Sequence, residues 1–217
     1  MMKNSEWGAV AYLSHSVYGK NSEVWINNAN TGTGTANSGT QWDTSITGCS
    51  GSSATASVQN NMTTCASGYD YKQNGVNAST TGNITGVYDM NGGVWERVMA
   101  SVLDSSGNFV AGSSGFTSKP DSKYYESYPY NTGVNNYSGG KLGDATRETL
   151  TGTTGNDRGW YSDYTLMPGN MSDCANCMWF MRGGYVTYSS GSGLFDFYRF
   201  TGAGWTSTGS RAVVVSV

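Results

Sequence analysis

Histidine, proline, charge and long aliphatic runs are all scarce in this chain, and each scarcity removes a class of protein. Only one histidine, His15, stands among 217 residues, so a zinc site of several imidazoles is excluded and a Ser-His-Asp triad has a single candidate proton carrier. His15 follows Leu13 and Ser14 at the end of a predicted helix, where a solvated ring favourable to the helix dipole is expected. Lys and Arg number 12 and Asp and Glu 15, for a formal charge of −3. Twelve scattered cations form no basic stripe, which argues against nucleic acid and anionic membranes as partners. No apolar run approaches the roughly 18 residues of a membrane span, so direct membrane insertion is not expected.

Leu, Ile, Val and Phe together supply only 31 residues, fewer than the ~20% below which a highly charged chain stays disordered. This chain is not highly charged, and it carries 7 Trp, 15 Tyr and 6 Phe. Its core must be built from rings, Met, Ala and Val. Against 3 Pro stand 31 Gly, with abundant Ser, Thr and Asn, which predicts tight turns and short strands and excludes a helical bundle. The length fits a single domain over residues 1–217. No internal repeat of fixed period and no dividing linker is present.

Asn4 or Ser5 is a candidate cap for a helix whose inward face holds Trp7, Val10, Ala11 and Ser14 at helical spacing. Val24-Trp25-Ile26 is predicted as a short strand, and two polar tracts, 27–39 and 51–61, as loops. Ser101-Val102-Leu103 and Asn108-Phe109-Val110 form a predicted hairpin around Asp104-Ser105-Ser106-Gly107. The Tyr-rich segment 123–128 is a candidate short helix after Pro120. Ala212-Val213-Val214-Val215 has the unbroken apolar character of a central strand. No apolar segment of a secretory leader follows Met1. A helix this close to the first residue needs upstream partners to bury its face, which favours a piece of a longer chain over a cytosolic protein.

The four cysteines fall into two local pairs, Cys49 with Cys65 and Cys174 with Cys177. A bridge in the first pair would staple a Gly/Ser loop without apolar content of its own, for ~3 kcal/mol on the loop-entropy argument. For Cys174-Ala175-Asn176-Cys177 three readings stay open: a small local disulfide, half of a zinc site, or a thioredoxin-like redox motif. The redox reading calls for an electropositive setting that Asp173 and the flanking Met and Trp do not supply. Disulfides would imply an extracytoplasmic location.

Two stretches carry a family resemblance. The segment Gly86-Val87-Tyr88-Asp89-Met90-Asn91-Gly92-Gly93-Val94-Trp95-Glu96 resembles the "G-(L/V)-Y-D-M-x-G-N-V-W-E" motif of the formylglycine-generating-enzyme and sulfatase-modifying-factor superfamily. Arg182-Gly183-Gly184-Tyr185-Val186, followed by Gly209-Ser210-Arg211-Ala212-Val213, resembles its closing "R-G-G-(S)-W … G-F-R-(x)-V". The helix around Trp7 to Tyr12 is similar to its "W-x-x-A-x-x-(Y/F)" helix. The resemblance implies an α+β fold, the variant of the C-type lectin-like fold found in that superfamily, with twisted antiparallel strands, few helices and long irregular loops. Trp95, Glu96, Arg182, Gly183, Gly184 and Arg211 are then scaffold. Independently of the resemblance, the glycines after Asp89 permit positive φ, Val94, Trp95 and Val98 turn inward, and a half-buried Glu96 needs a donor for which Arg182 and Arg211 are the candidates.

Catalytic members of the superfamily carry a copper-binding cysteine pair shortly after "R-G-G-S". The corresponding stretch here, residues 185–193, contains no sulfur, and Cys174 and Cys177 lie on the wrong side of Arg182, so a soft copper site cannot form. The expectation is a protein that is not an enzyme and carries no cofactor. The "E-P-N", "Q-P-D" and "W-N-D" triplets of calcium-dependent animal lectins are also missing; a structural calcium ion in an Asn/Asp-rich loop is left open but not assignable.

Residues 182–211 form the candidate ligand-binding region. From 185 to 210 they are aromatic, Ser, Gly and Thr with only Asp196 and Arg199 charged, the composition of an antibody paratope. Alternation predicts Phe195 and Phe197 inward and Asp196 and Tyr198 outward. Tyr185, Thr187, Tyr188, Ser190, Asp196, Tyr198, Arg199, Phe200, Thr201 and Trp205 are the candidate contact residues, with Tyr185, Tyr188, Tyr198 and Trp205 as ring anchors and Asp196 and Arg199 as polar selectors. The core reading of these rings stays open beside it, because the chain is short of aliphatic residues. The arrangement is similar to the variable proteins of diversity-generating retroelements, whose closing segment is mutagenised at template adenines; most residue types between 185 and 210 are reachable that way, and Trp205 is not. That resemblance implies display on a bacterial cell surface, pilus tip or phage particle and a protein or glycan ligand. A formylglycine-type oxidase and a glycan-binding adhesin of fixed specificity are the alternatives.

Overall fold

The computed structural model describes residues 1–27, 50–51, 59–60, 64–65, 70, 72–110, 115–116, 118–130, 139–150, 157–171, 174–185, 188, 191–205 and 207–214. The protein is α+β, with one α-helix, α1 (Asn4–Ser14), and a mixed seven-stranded sheet among the described residues. The strands in chain order are β1 (Gln59–Asn60), β2 (Thr64–Cys65), β3 (Trp95–Val102), β4 (Glu126–Tyr128), β5 (Asp157–Arg158), β6 (Tyr164–Thr165), β7 (Gly169–Met171), β8 (Cys174–Cys177), β9 (Trp179–Arg182), β10 (Phe197–Phe200) and β11 (Thr208–Ser210). The main sheet runs β11-β3-β9-β10-β6-β5, with β4 also on β3; β1 pairs β2 and β7 pairs β8 in separate ribbons. β3 runs antiparallel to β9 and parallel to β11 and β4.

The inward face of α1 follows its helical spacing. Trp7, Ala11 and Ser14 are buried, and Trp7 donates its indole N–H to the Leu194 carbonyl at 2.8 Å. Asn4 is not the cap: it is the first helical residue, buried, and its amide donates to the Tyr128 hydroxyl at 2.9 Å. Lys3 occupies the cap position, its N–H received by Glu6 at 2.7 Å, while Glu126 of β4 receives the Ser5 N–H at 3.0 Å. Orphan donors of the first turn are thus satisfied by carboxylates, one of them from across the fold. His15 does close the helix but is not solvated: its ring lies half-buried 4.6 Å from Tyr161 and 4.9 Å from Phe195, and burial lowers its pKa. The free end of the helix is therefore covered by rings.

Strand alternation divides the sheet into two faces. On one, Val98, Ala100, Phe180 and Phe197 join Trp7, Met90, Leu150 and Met167 in the main core beneath α1. On the other, Trp95 and Met181 are buried with Tyr185 and partly covered by Tyr188, Tyr198 and Phe200. A third cluster gathers Met99, Tyr125 and Trp179 under Phe109 and Phe116. Rings and Met fill space that aliphatic residues fill elsewhere.

Of the predicted hairpin the turn forms, but Asn108-Phe109-Val110 is not a strand. Asp104 receives N–H groups from Ser106 at 2.9 Å and Asn108 at 2.6 Å, and Leu103 bridges Phe109. Segment 24–26 is not a strand; Ile26 makes only an isolated bridge to Gly51. Segment 123–128 divides into a single 3-10 turn (Ser122–Tyr124) and β4. The apolar run at 212–215 is not a central strand: Val214 is 95% exposed, and the pairing with β3 is made by the polar β11 immediately before it, at the sheet edge. Backbone bonds, not apolar content, place the closing strand. Residues 28–39, 52–58 and 61 of the polar tracts, and Val215, lie outside the described residues. Near the termini, Met2 donates its N–H to the Arg211 carbonyl at 2.8 Å.

Candidate functional site

The segments that carry the sequence motifs meet in space. Gly92 donates its N–H to the Gly183 carbonyl at 2.7 Å, and β11 lies beside the start of β3, with Gly209 opposite Glu96. Gly92, Gly93, Gly183 and Gly184 all have φ between 71° and 82°, a region costly for any residue with a Cβ. Of the two candidate donors for Glu96, Arg211 is the partner, its Nη2 2.5 Å from Oε1, and the same guanidinium donates to the Asp89 carbonyl at 2.8 Å. Glu96 is more deeply buried than expected, only 6% exposed, and burial raises its pKa against the opposing pull of Arg211. Asp89, Gly93, Glu96, Gly209 and Arg211 line a cleft of about 420 Å³ with Asn27 and Tyr88. Arg182 points elsewhere: fully buried, it donates to the carbonyls of Asp144 at 3.3 Å and Ala145 at 3.4 Å and lies over the rings of Trp7 and Phe197.

A second cavity, about 300 Å³, opens on the ring-bearing face of the sheet. Trp95 forms its back, with Tyr198 stacked at 5.5 Å and 27° and Tyr188 standing edge-on at 5.4 Å and 79°. Tyr185 packs 4.6 Å from Tyr188, again near perpendicular. Across the lining, Trp205 lies flat on Phe200, centroids 5.4 Å apart and planes within 6°. Arg199, Thr201 and the Cys174–Cys177 pair complete the wall. The two cysteines are joined as a disulfide, with Cα atoms 5.7 Å apart. For the first pair, Cys49 lies outside the described residues and Cys65 belongs to β2.

Of the ten candidate contact residues, seven line this groove: Tyr185, Tyr188, Tyr198, Arg199, Phe200, Thr201 and Trp205. Thr187 and Ser190 lie outside the described residues. The expected exposure needs correction. Trp205 is 46% exposed, but Tyr188, Tyr198, Phe200 and Thr201 are half-buried, and Tyr185 and Arg199 are buried. With few aliphatic side chains to cover Trp95 and Met181, the groove rings cover them. Arg199 shares a sheet face with Phe197, which explains its burial.

Asp196 is not a surface selector. It is fully buried in the turn before β10, with no hydrogen-bond partner on either carboxyl oxygen among the described residues. Asp163, also buried, receives the Phe195 N–H at 2.9 Å. Burial pushes both carboxyls well above the ordinary range; Asp163 raises Asp196 further, while Arg182 and Arg158 oppose the rise in both. A raised acid pKa means that the folded state holds protons the unfolded chain releases, so stability is greatest below the unfolded value near pH 4 and is lost as pH climbs toward the folded one. Asp196→Asn is accordingly expected to raise the melting temperature at pH 8 and to flatten its decline between pH 5 and 8, read by calorimetry. An unchanged profile would mean that Asp196 is not the buried titrating group.

Two residues outside the candidate set pack against the groove rings. Tyr164 of β6 stacks on Tyr188 at 5.6 Å and 16° and packs 5.5 Å from Tyr198, although it lies outside the 182–211 window. The ring-rich composition of 160–164 was the available signal. Arg97 sits 4.9 Å over Phe200 and donates to the Ala203 carbonyl and, at 3.3 Å, to Thr208 Oγ1, fixing the loop that carries Trp205. Its alternation with Trp95 along β3 places both on this face.

Among the described residues no group of three or more His, Cys, Asp or Glu is arranged to hold a metal ion, and no helix is long and apolar enough to cross a membrane. No model of a known protein family matches the chain, and no curated protein is significantly similar to it.

Proposed function

We propose that this chain is a non-catalytic ligand-binding domain with a C-type lectin-like fold of the formylglycine-generating-enzyme variant, which engages a protein or glycan on a cell or virion surface through the Trp95-backed groove. The observation that carries the reading is the convergence of the seven candidate contact residues on one cavity, supplied by a sheet face, the segment after Gly184 and the loop to β11. An aromatic wall around a small set of polar groups is the usual make-up of a recognition site. Display outside the cytoplasm is supported by the Cys174–Cys177 disulfide. The groove segment is read as the diversified part of a retroelement variable protein, for which a neighbouring reverse-transcriptase gene and a near-copy of codons 182–211 differing at adenines is the expected genomic signature.

Trp205 gives the direct test, since its indole is exposed and stacks on Phe200. Ligands selected from random peptide display and glycan arrays are expected to bind Trp205→Ala about tenfold more weakly or worse, while its stability changes by less than about 1 kcal/mol. Unaltered affinity for every selected ligand would remove the groove as the site. Turnover of a thiol peptide on copper titration would replace the binding reading with the oxidase alternative.

A further inference from the structure

We propose that a pocket between β3 and β9, separate from the Trp95-backed groove, binds a compact apolar carboxylic acid, free or as the C-terminal residue of a peptide, with Arg97 and Trp179 holding its carboxylate. The pocket measures about 190 Å³ and is lined by Arg97 and Trp179 together with Met1, Phe116 and Gly202. It lies at a shift in strand register. Arg97 pairs with Met181 and Ser101 with Trp179, so β3 takes four residue steps where β9 takes two. Bulges of this kind re-aim side chains and are over-represented beside active sites.

The first observation is a cation without an anion. Arg97 is half-buried, and desolvation lowers its pKa. Its bonds go to neutral acceptors, the Ala203 carbonyl and Thr208 Oγ1, and among the described residues no carboxylate lies within ion-pair distance of it. Those bonds use Nε and Nη2, and Nη1 makes none among the described residues. A partly desolvated charge without a counter-ion is costly, and an anionic ligand would offset that cost. The second observation is independent. Trp179 is 5% exposed, and its indole N–H has no acceptor among the described residues. Strand pairing puts both donors on one face of the sheet: Met181 opposes Arg97 and Tyr198, Trp179 opposes Phe200, and the Arg97 guanidinium lies 4.9 Å over the Phe200 ring. The walls then supply the ligand class. Phe116 stacks on Trp179 at 5.6 Å and 18°, so much of the lining is aromatic. A cavity of ~150 Å³ holds benzene, and this one admits such a ring with a carboxylate attached. A carboxylate has two oxygens, one for each donor, whereas inorganic phosphate would leave the ring-walled part unfilled. A neutral amide would leave Arg97 uncompensated.

The test is isothermal titration calorimetry of the intact chain with benzoate, phenylacetate and isocaproate, with benzamide and inorganic phosphate as comparators, and with a Gly-Gly-Phe peptide whose C-terminus is free or amidated. Saturable binding of carboxylates about tenfold or more stronger than that of the neutral amides or phosphate is the expected result. Arg97→Gln should weaken it about tenfold or more, and Arg97→Lys should recover part of that loss. Trp179→Phe, which keeps a ring and deletes the N–H, should weaken it by about threefold or more. Arg97 also holds the Trp205 loop, so the melting temperature of each variant is read alongside, and Trp179→Phe decides alone if Arg97→Gln does not fold. No saturable binding of any carboxylate overturns the proposal, as do equal affinities for benzamide or phosphate, or carboxylate affinities that a folded Arg97→Gln or Trp179→Phe leaves unchanged. Binding of the free acids without the peptide supports a small-molecule site, and preference for the free-carboxyl peptide over its amide supports capture of a chain end. The groove stands or falls separately, by Trp205→Ala.

Discussion

Arg211→Met is expected to cost about 3–5 kcal/mol at neutral pH, among the largest losses available to a side chain that is not wholly buried. The ion pair joins the closing segment to the first strand of the main sheet, and Glu96 is nine-tenths buried. Removing the guanidinium leaves Glu96 with its desolvation uncompensated. Among the described residues its Oε2 has no hydrogen-bond partner. The loss has a sign in pH. Burial already raises the Glu96 pKa even with Arg211 present, and without it the folded-state value rises further. The variant's deficit should therefore be small near pH 4, where the carboxyl is protonated in both states, and should grow as pH rises toward 8. Adding Glu96→Gln should recover much of the loss at pH 8. Chemical denaturation of the single and double variants across that range checks both points, and a pH-independent deficit would assign the cost to lost packing or to the Asp89 carbonyl bond.

Gly183→Ala is expected to be nearly as damaging, about 3 kcal/mol or more, because two penalties add. Its φ of +82° already costs an alanine roughly 1–2 kcal/mol. An added Cβ would also stand 2.8 Å from the Met90 carbonyl oxygen and 3.2 Å from the Trp7 ring. The first is backbone and the second a core anchor, so neither yields cheaply. Gly107→Ala supplies the control. Its φ is +77° and its Cβ would meet nothing within 4 Å, so only the backbone cost of roughly 1–2 kcal/mol is expected. Equal losses at the two positions, measured by urea denaturation, would show that the close approach of Gly183 to Met90 is not a constraint.

Local chemistry made parts of this fold legible in the sequence. The 3.6 period placed Trp7, Ala11 and Ser14 inward, and the Asp104–Gly107 turn followed from side-chain acceptors and a glycine. Glu96 and the need for a donor were also visible, although only the folded chain distinguishes Arg211 from Arg182. Failures arose where a period was extended past the element that generates it. Alternation turns Asp196 outward, yet β10 begins at Phe197, and alternation says nothing about the turn before it. Arg199 lies within the strand, and the same rule, anchored on buried Phe197, would have turned it inward. Val213 and Val214 mimic a central strand, but the strand is Thr208–Ser210, chosen by its ladder with β3. The ring-rich stretch 160–164 marks Tyr164 as a candidate, but only the parallel pairing of β6 with β10 brings it against the groove rings.

The clamp on the Trp205 loop has a consequence for how this surface tolerates change. Arg97 reaches the carbonyl of Ala203, and Thr208 donates its N–H and hydroxyl to the carbonyl of Trp205, at 3.2 and 2.8 Å. The acceptors are main-chain atoms, which every amino acid provides alike. The frame that aims the loop is thus indifferent to the side chains it carries, and positions 203 and 205 can be rewritten without untying their carbonyls from Arg97 and Thr208. Geometry is inherited from the strands, and chemical identity is left free to vary.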